Sequence, residues 1–261
     1  MKGYLDRIGV LAAPTPSLAT LRTLHRQHMR TVPFENIDIS VGVPICLTHE
    51  DLYAKVISRN RGGFCYELNS LFAWLLTGIG FDVRLLSARV FDGQTFGPEF
   101  DHVALLVLLD RPYLADVGLG DSFLEPIPID TTSKYSQGND VYHLSCTGNE
   151  WTLLKDGKSF VGQAQYKFTL QAHEFPEFEN MCLYHQTSPK SIFTSKMICS
   201  RATDSGRVTI SNNHLIETSF GQRSMKGITG ETELLDLLRA RFGINLADFK
   251  PKRRFSWSPA H

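Results

Sequence analysis

Cys65 has the residue type and the position to act as a nucleophile. It stands three residues before the apolar stripe of a helix predicted from Leu68 to Ile79, and therefore in the first turn of that helix. Unpaired backbone N–H groups and the helix dipole favour a thiolate at such a place. Most free cysteines, however, are small buried side chains that only pack. The position indicates a reactive thiol and leaves simple packing as the alternative.

A nucleophilic thiol needs a general base, and the base needs an acceptor that orients it. His102 opens an apolar strand-like run, and Asp116 interrupts another, where an unpaired carboxylate would be costly to bury. If the two runs form a hairpin, the even numbering of His102 and Asp116 puts both side chains on one face. Turn residues at 110–112 offset the pair by two to four residues. A His and an Asp side chain can reach each other across a two-residue diagonal of about 7–8 Å but not across a four-residue offset. The geometry therefore permits a Cys-His-Asp triad.

The elements that position these residues change character near Phe81. Before Phe81, apolar residues recur at helical spacing, with Ser17 and Thr48 as N-caps. After it the period falls to two, which predicts an antiparallel sheet or a small barrel. We expect helices at Ser17–His28, His49–Ser58, Leu68–Ile79 and Glu231–Phe242. We expect strands at Val83–Phe91, His102–Leu109, Tyr113–Val117, Trp151–Leu154, Tyr166–Leu170, Arg207–Ile210 and His214–Thr218.

Composition and charge exclude several classes of protein. Twenty-seven Lys and Arg balance twenty-seven Asp and Glu, whereas a nucleic-acid-binding protein usually has a basic excess. The most apolar window, 62–81, carries Glu67 and Asn69 and so fits a core helix better than a membrane span. Neither nucleic acid nor a membrane is therefore an expected partner.

The five cysteines include no C-x-x-C pair, and the N-terminal residues do not have the pattern expected of a signal peptide. This usage predicts a protein of the reducing cytoplasm that keeps thiols rather than disulfides. Four of the cysteines lack the setting of Cys65 and are expected only to pack: Cys46, Cys146, Cys182 and Cys199.

Other patterns that resemble ligand sites have simpler interpretations. His25 and His28 share a helix face without a third ligand, so we expect surface residues and no metal site. The string 118–120 is a Gly-x-Gly without the third glycine of a dinucleotide fingerprint, which argues against a Rossmann fold. The basic tail, Lys250–Arg254, is expected to be solvated, with contact to a substrate phosphate as the alternative.

Three motifs follow one another along the chain: RGGFCYELN at 61–69, the strand that opens with His102, and DVGLG at 116–120. Together they resemble the arylamine N-acetyltransferases. Three earlier segments resemble the same family: Tyr4–Gly9, Leu24–His28 and Val32–Asn36. The likeness runs from residue 4 to about 128 and is diffuse beyond it. The first motif is specific, and its combination with the other two makes coincidence improbable.

The resemblance implies an α+β fold with a cysteine-protease-like core. Residues 1–82 would form an N-terminal helical domain that carries the nucleophile. Residues 83–188 would form an antiparallel β-barrel domain that carries the His and the Asp. Residues 189–261 would form a C-terminal α/β lid. The change of period near Phe81 agrees with the first of these boundaries. The resemblance also makes Glu35 and Arg61 a structural ion pair.

The implied chemistry is ping-pong acetyl transfer. Cys65 would take the acetyl group of acetyl-CoA and pass it to a small aromatic amine or hydrazine, with no resident cofactor. His102 would move the protons and Asp116 would hold its ring. Backbone N–H groups of Cys65 and Val103 are our candidates for stabilising the oxyanion.

Substrate contacts also follow from the resemblance. We expect Phe64, Gly118, Leu119 and Gly120 to line the substrate and CoA site, with the glycines letting CoA come close. Gly62 and Gly63 would likewise let the backbone approach a ligand. The family usually has Phe where Leu119 stands, so an aromatic surface is lost from the acceptor pocket. This departure concerns the preference among amines rather than the acyl transfer.

A Cys-His-Asp triad does not choose its acceptor. A thiol hydrolase or an amide-forming acyltransferase would use the same three residues. A catalytically silent binding module is a further alternative, against which the intact Cys65, His102 and Asp116 argue. The sequence carries no prediction of oligomeric state.

Overall fold

The first 80 residues are mainly helical in the computed structural model, which describes residues 1–11, 14–157 and 160–246. The helices are α1 (Lys2–Arg7), α2 (Leu18–Thr31), α3 (Ile37–Ser40), α4 (His49–Tyr53), which continues as a π-helical turn at Ala54–Ser58, and α5 (Cys65–Ile79). A short strand, β1 (Phe34–Glu35), lies between α2 and α3. The tail Lys250–Arg254, with its expected phosphate contact, lies outside the described residues.

The ends of these helices follow from local sequence. The Ser17 hydroxyl accepts the backbone N–H of Thr20 and begins α2, and the Thr48 hydroxyl accepts that of Asp51 and begins α4. Gly80, with φ of 107°, ends α5 in the left-handed conformation that glycine adopts without strain. Both predicted N-caps are therefore confirmed.

An eight-stranded antiparallel sheet follows, in the order β5-β4-β3-β2-β9-β8-β7-β6. Its strands are β2 (Asp82–Val90), β3 (His102–Leu108), β4 (Pro112–Ala115), β5 (Ile127–Pro128), β6 (Lys134–Gln137), β7 (Asp140–Thr147), β8 (Glu150–Gly157) and β9 (Phe160–Phe168). The Gln137 side chain on β6 accepts the backbone N–H groups of Leu124 and Glu125, just before β5. The two sheet edges thus approach each other, and the sheet curls into the predicted barrel-like form.

Strands β6 and β7 were not predicted. In β7 only Tyr142 and Leu144 are buried, and polar residues stand between and beside them. A strand with two buried positions carries too weak a period for recognition from the sequence.

A second sheet has the order β1-β10-β11-β12-β13 and is antiparallel throughout. Its later strands are β10 (Ile198–Thr203), β11 (Gly206–Ser211), β12 (His214–Ser219) and β13 (Gln222–Gly227). Around it are a 3₁₀ turn at Phe175–Phe178 and the helices α6 (Glu179–Thr187), α7 (Ile192–Ser195) and α8 (Glu231–Phe242). Strand β1 pairs Phe34 with Ser200 and Glu35 with Cys199. Residues from the helical segment therefore complete the C-terminal sheet.

Helix α5 lies at the centre of the largest apolar core. Its buried residues Leu68, Phe72 and Leu75 share one cluster with Val103 and Leu105 of β3. This packing sets the helix against the strand that begins with His102. Among the described residues, no helix combines the length and hydropathy needed to cross a membrane.

Candidate active site

Cys65 is the first residue of α5, and its side chain is buried, with 3% of its surface exposed. The backbone of Val103, next to His102 on β3, lies close enough to the thiol to lower its pKa. The sulfur therefore lies at the start of both the helix and the strand. The two backbone positions expected to stabilise an oxyanion, Cys65 and Val103, are neighbours in space.

His102 and Asp116 meet across the β3–β4 hairpin. The last pair of that ladder joins Leu105 to Ala115, which leaves a two-residue diagonal between His102 and Asp116. The His102 Nε2–H group donates to Asp116 Oδ2 at 2.8 Å. Since Asp116 occupies Nε2, the Nδ1 atom of His102 is the nitrogen available to the thiol.

Asp116 has no exposed surface, and donors surround its carboxylate. Besides His102, the Asn69 side chain and the Gly118 backbone N–H donate to Oδ1, at 2.8 and 2.9 Å. Burial raises the pKa of this carboxyl, but His102 and the other donors more than offset burial, so the pKa lies below its usual value. Asp116 is an anion at neutral pH.

Asn69 connects the helix to both strands. One helical turn after Cys65, its Nδ2 also donates to Val103 O at 2.6 Å, and its Oδ1 accepts the Val117 N–H at 2.9 Å. Sequence reasoning gave Asn69 no role at the site. The available signal was an amide four residues after the cysteine, on the buried face of an apolar helix.

Tyr66 secures the segment that leads into His102. Its hydroxyl donates to Phe100 O at 2.7 Å and to Asp101 O at 3.1 Å. Phe100 has a φ of 63°, an unfavourable conformation for a bulky residue. Tyr66, next to Cys65, thus stabilises the bend that leads into His102.

Burial raises the pKa of the Cys65 thiol well above its usual value, and the nearby groups Cys182, Asp101 and Asp116 raise it further. The Val103 N–H acts in the opposite direction. Burial thus acts against the thiolate that the helix start favours. An isolated thiolate is unfavourable here, so a reactive Cys65 would need a base that becomes positive beside the sulfur.

Comparison with known proteins places this geometry in a family. A model of the N-acetyltransferase family matches residues 17–250. The arylamine N-acetyltransferase of Mycolicibacterium smegmatis is 33% identical over 255 residues, covering 94% of this chain and 92% of that protein. Arylamine N-acetyltransferase 1 of Homo sapiens is 30% identical over 276 residues, covering 94% of each. The chain belongs to the arylamine N-acetyltransferase family.

The fold agrees with that membership. The structure of Mycobacterium marinum arylamine N-acetyltransferase in complex with CoA superposes with a TM-score of 0.88 at 30% identity, covering 96% of this chain and 95% of that one. The arylamine N-acetyltransferase from Salmonella typhimurium gives 0.90 at 29% identity, with 95% and 92% covered. The α+β fold class is confirmed, and the chain is an acyltransferase by family.

The arylamine N-acetyltransferase motif at 61–69 also contains part of a buried ion cluster. Arg61 binds Glu35 through Nε at 2.9 Å and Asp38 through a terminal nitrogen at 2.8 Å. Lys55 binds Asp38 at 2.7 Å and Glu67 at 2.8 Å. The Glu35–Arg61 ion pair implied by the resemblance is present within this larger group.

Glu67 links the ion cluster to the backbone next to Cys65. Its Oε2 accepts the N–H of Phe64, the residue before Cys65, at 3.1 Å. Burial raises the pKa of Glu67 to about 7, although Lys55 lowers it. The carboxyl caps the first turn of α5 and fixes the backbone that presents Cys65.

The glycines of the family motifs allow neighbouring segments of the chain to pack closely. A Cβ at Gly62 would collide with the Pro33 carbonyl oxygen, and one at Gly63 would lie 2.8 Å from Glu67 Cβ. These contacts account for the two glycines, and the approach of a ligand to their backbone stays a prediction. A Cβ at Gly118 would lie 2.7 Å from Cys65 Cα, and one at Gly120 would lie 3.2 Å from the Phe34 ring. These contacts account for the latter two glycines, and their role toward CoA stays a prediction.

Phe64 and Leu119 occupy different settings. Phe64 has no exposed surface and packs edge-on against the rings of Tyr66 and Phe193, with centroids 5.0 and 5.8 Å away. Leu119 is half-buried against the barrel core. Their contacts with substrate remain predictions.

The prediction that His25 and His28 lie on the surface is wrong, since both are completely buried. His25 hydrogen-bonds the Asp116 backbone, and His28 Nδ1 hydrogen-bonds the Tyr4 hydroxyl at 2.7 Å. Two polar residues on one helix face resemble a solvated face in the sequence, but here each has a partner that makes burial possible.

All five cysteines are free thiols. Cys182 and Cys199 are buried, as packing residues should be, and Cys146 is partly buried. Cys46 is exposed, so the packing expectation is wrong for that residue.

Proposed function

We propose that this chain transfers the acetyl group of acetyl-CoA to the nitrogen of an arylamine or arylhydrazine, by a ping-pong mechanism through an acetyl-Cys65 intermediate. The observation that carries the proposal is the His102–Asp116 hydrogen bond beside a thiol at the start of α5. The solved relative in complex with CoA supports acetyl-CoA as the co-substrate. The five free thiols support a reducing, cytoplasmic setting.

In the first half-reaction, His102 Nδ1 takes the thiol proton as the Cys65 sulfur attacks the thioester carbonyl. The thiolate and the imidazolium form together, so the attraction between their charges offsets the burial that raises the thiol pKa. Asp116, ionised and bound at Nε2, favours the imidazolium. The C–S bond to CoA then breaks, and the imidazolium protonates the departing CoA sulfur.

In the second half-reaction, the amine nitrogen attacks the acetyl-cysteine carbonyl. His102 takes the proton that the nitrogen loses, the C–S bond to Cys65 breaks, and the proton returns to the thiol. In both halves the carbonyl oxygen becomes an oxyanion. The backbone N–H groups of Cys65, at the start of α5, and of Val103 are the donors proposed to receive it.

The test is intact-mass measurement after the enzyme is mixed with acetyl-CoA and no amine. We expect an adduct of about 42 Da, one acetyl group, on Cys65. Addition of an arylamine should discharge the adduct and yield the N-acetyl product.

Cys46 provides the matched control because it is the exposed thiol. The adduct should persist in Cys46→Ala and vanish in Cys65→Ala. Absence of an adduct in the unmodified chain contradicts the proposal. If the adduct is lost as fast in water alone as in the presence of an arylamine, the chain is a thiol hydrolase instead.

A further inference from the structure

His25, on α2, binds the backbone at two points around the segment that follows Asp116. The Asp116 N–H donates to Nε2 at 3.1 Å, and Nδ1 binds Leu124 O at 2.9 Å. Because Nε2 accepts, Nδ1 must carry the ring proton. The ring stacks on Phe123, with centroids 5.4 Å apart and planes 14° apart, and meets the edge of Phe72 at 6.0 Å. Hydrogen bonds and packing leave the ring one orientation.

The Asp116 N–H lies just beyond the β-ladder. The last β3–β4 pair joins Leu105 to Ala115. A backbone N–H that leaves a sheet while buried needs another acceptor, and an unsatisfied one is costly. His25 supplies that acceptor, so its imidazole replaces the carbonyl group that a paired strand would have provided.

Only the neutral imidazole can act in this way. Burial lowers the pKa of His25 to about 4, although Leu124 O, Asp116 and Glu125 favour the charged form. The other charged or titratable neighbours are His28 on the same helix and Arg22 and Arg26, which pair with Glu125. A proton on Nε2 would face the Asp116 N–H, donor against donor.

We infer that His25 is a positioning residue of the acetyl transfer: as a neutral acceptor it holds the Asp116 backbone so that the Asp116 carboxylate keeps His102 aligned with Cys65. The inference rests on the proposed function. It follows from the path of contacts, because His25 fixes the N–H of the residue whose Oδ2 binds His102 Nε2 at 2.8 Å.

Two substitutions separate the two hydrogen bonds of His25. In His25→Gln the Oε1 atom can occupy the place of Nε2 and accept the Asp116 N–H, while the bond to Leu124 is lost. In His25→Asn the Nδ2 atom can occupy the place of Nδ1 and donate to Leu124 O, while the Asp116 N–H loses its acceptor. His28→Asn is the matched control, since His28 is equally buried on the same helix but binds Tyr4.

We expect His25→Asn to lower kcat by about 100-fold, the loss typical of a displaced catalytic group, with little change in the KM for acetyl-CoA. His25→Gln and His28→Asn should stay within about threefold of the unmodified enzyme, since neither leaves the Asp116 N–H unpaired. Equal kcat losses in His25→Asn and His28→Asn, or in the two His25 variants, would show a merely structural role and overturn the inference.

The second readout is the pH profile of Cys65 alkylation by iodoacetamide, with no acetyl-CoA present. The titratable groups that act on the thiol pKa are Cys182, Asp101 and Asp116, and His102 is hydrogen-bonded to Asp116. With Asp116 misplaced, the imidazolium loses support, and His25→Asn should alkylate about tenfold more slowly near neutral pH. His25→Gln should retain the unmodified profile, and an unchanged profile in His25→Asn contradicts the inference.

The same readout separates this inference from the proposed function. If the unmodified chain alkylates rapidly at Cys65 but forms no acetyl adduct, acetyl transfer fails while the alkylation profiles still decide the role of His25. If His25→Asn does not fold, His25→Gln decides. A 100-fold loss of kcat in the glutamine variant, at an unchanged melting temperature, would overturn the role of the Asp116 N–H.

Discussion

Among the residues that the structure describes, two histidine–aspartate pairs look alike by distance. His102 Nε2 lies 2.8 Å from Asp116 Oδ2, and His185 Nε2 lies 3.0 Å from Asp101 Oδ1. His185 Nδ1 also lies 3.1 Å from the Ser191 hydroxyl, which completes a Ser-His-Asp series. By residue type and spacing, the second group could be taken for a catalytic triad.

The nucleophilic positions distinguish the two groups, although Cys65 and Ser191 are each 3% exposed. The Ser191 hydroxyl already accepts the Phe193 N–H at 3.2 Å and caps α7, and the Ser191 N–H is bound to Ser188 O at 3.0 Å. Its backbone cannot receive an oxyanion. Cys65 instead begins a 15-residue helix, where the first N–H groups have no partner within the helix.

The acids differ as well. Asp116 accepts from His102, Asn69 and Gly118 and is fully buried. Asp101 divides its oxygens between His185 and the Val90 N–H. The second group therefore fastens α6 and α7 to the segment before β3. A hydrogen-bonded trio becomes a reaction centre only when the nucleophile and its backbone N–H are free to meet a substrate.

The largest expected difference between the pairs is in rate. Asp116→Asn should lower kcat by about 10⁴-fold, because the amide no longer favours the imidazolium at His102. Asp101→Asn should lower kcat by less than about tenfold, since it leaves the Asp116 bond intact. Steady-state assays with acetyl-CoA and an arylamine measure both, and comparable losses in the two variants would end the distinction.

The next difference is in acid stability, because the first pair rests on the buried neutral His25. Its folded pKa of about 4 lies below the ordinary value of 6.5, so the unfolded chain binds the extra proton between these pH values. Stability present above pH 6.5 is therefore lost as pH falls toward 4, by up to about 3 kcal/mol. Urea titrations at several pH values across this window give the free energy of unfolding as a function of pH. We expect that free energy to fall less steeply with decreasing pH in His25→Gln than in the unmodified chain. His28 contributes in the same direction in both proteins. Identical slopes would contradict the shifted pKa.

Removal of the second histidine should affect stability alone. His185→Leu takes partners from Asp101 and Ser191 and should cost about 1–3 kcal/mol of unfolding free energy. The kcat of the folded fraction should stay near that of the unmodified enzyme. A kcat loss beyond tenfold at a temperature well below unfolding would give His185 a part in the chemistry.

The smallest effect concerns the serine. Ser191→Ala removes the cap of α7 and should cost about 1 kcal/mol, a fall in melting temperature of about 2–4 °C for a chain of this size. The rate of acetyl-Cys65 formation should not change. Any acyl adduct that maps to Ser191 in the unmodified chain would make the second trio a nucleophilic site.

Much of the fold could be predicted because its signals are local. Helix starts followed from Ser17 and Thr48, and the position of Cys65 in the first turn of α5 followed from the apolar stripe after it. The shared face of His102 and Asp116 followed from strand periodicity and turn chemistry. The division of the chain at 82/83 and 188/189 stays a prediction. Strand β1, in the first of these segments, pairs with β10 in the last.

The sequence by itself determined the family, the nucleophile candidate and the parity of the His–Asp pair, since motif and period act over a few residues. Tertiary structure alone decided that His25 holds Asp116, 91 residues away, and that His185 binds Asp101, 84 residues away. It also decided which histidine–aspartate pair lies near the thiol at the start of α5. Burial of a polar side chain depends on the partner that packing brings to it, and no local period records that partner.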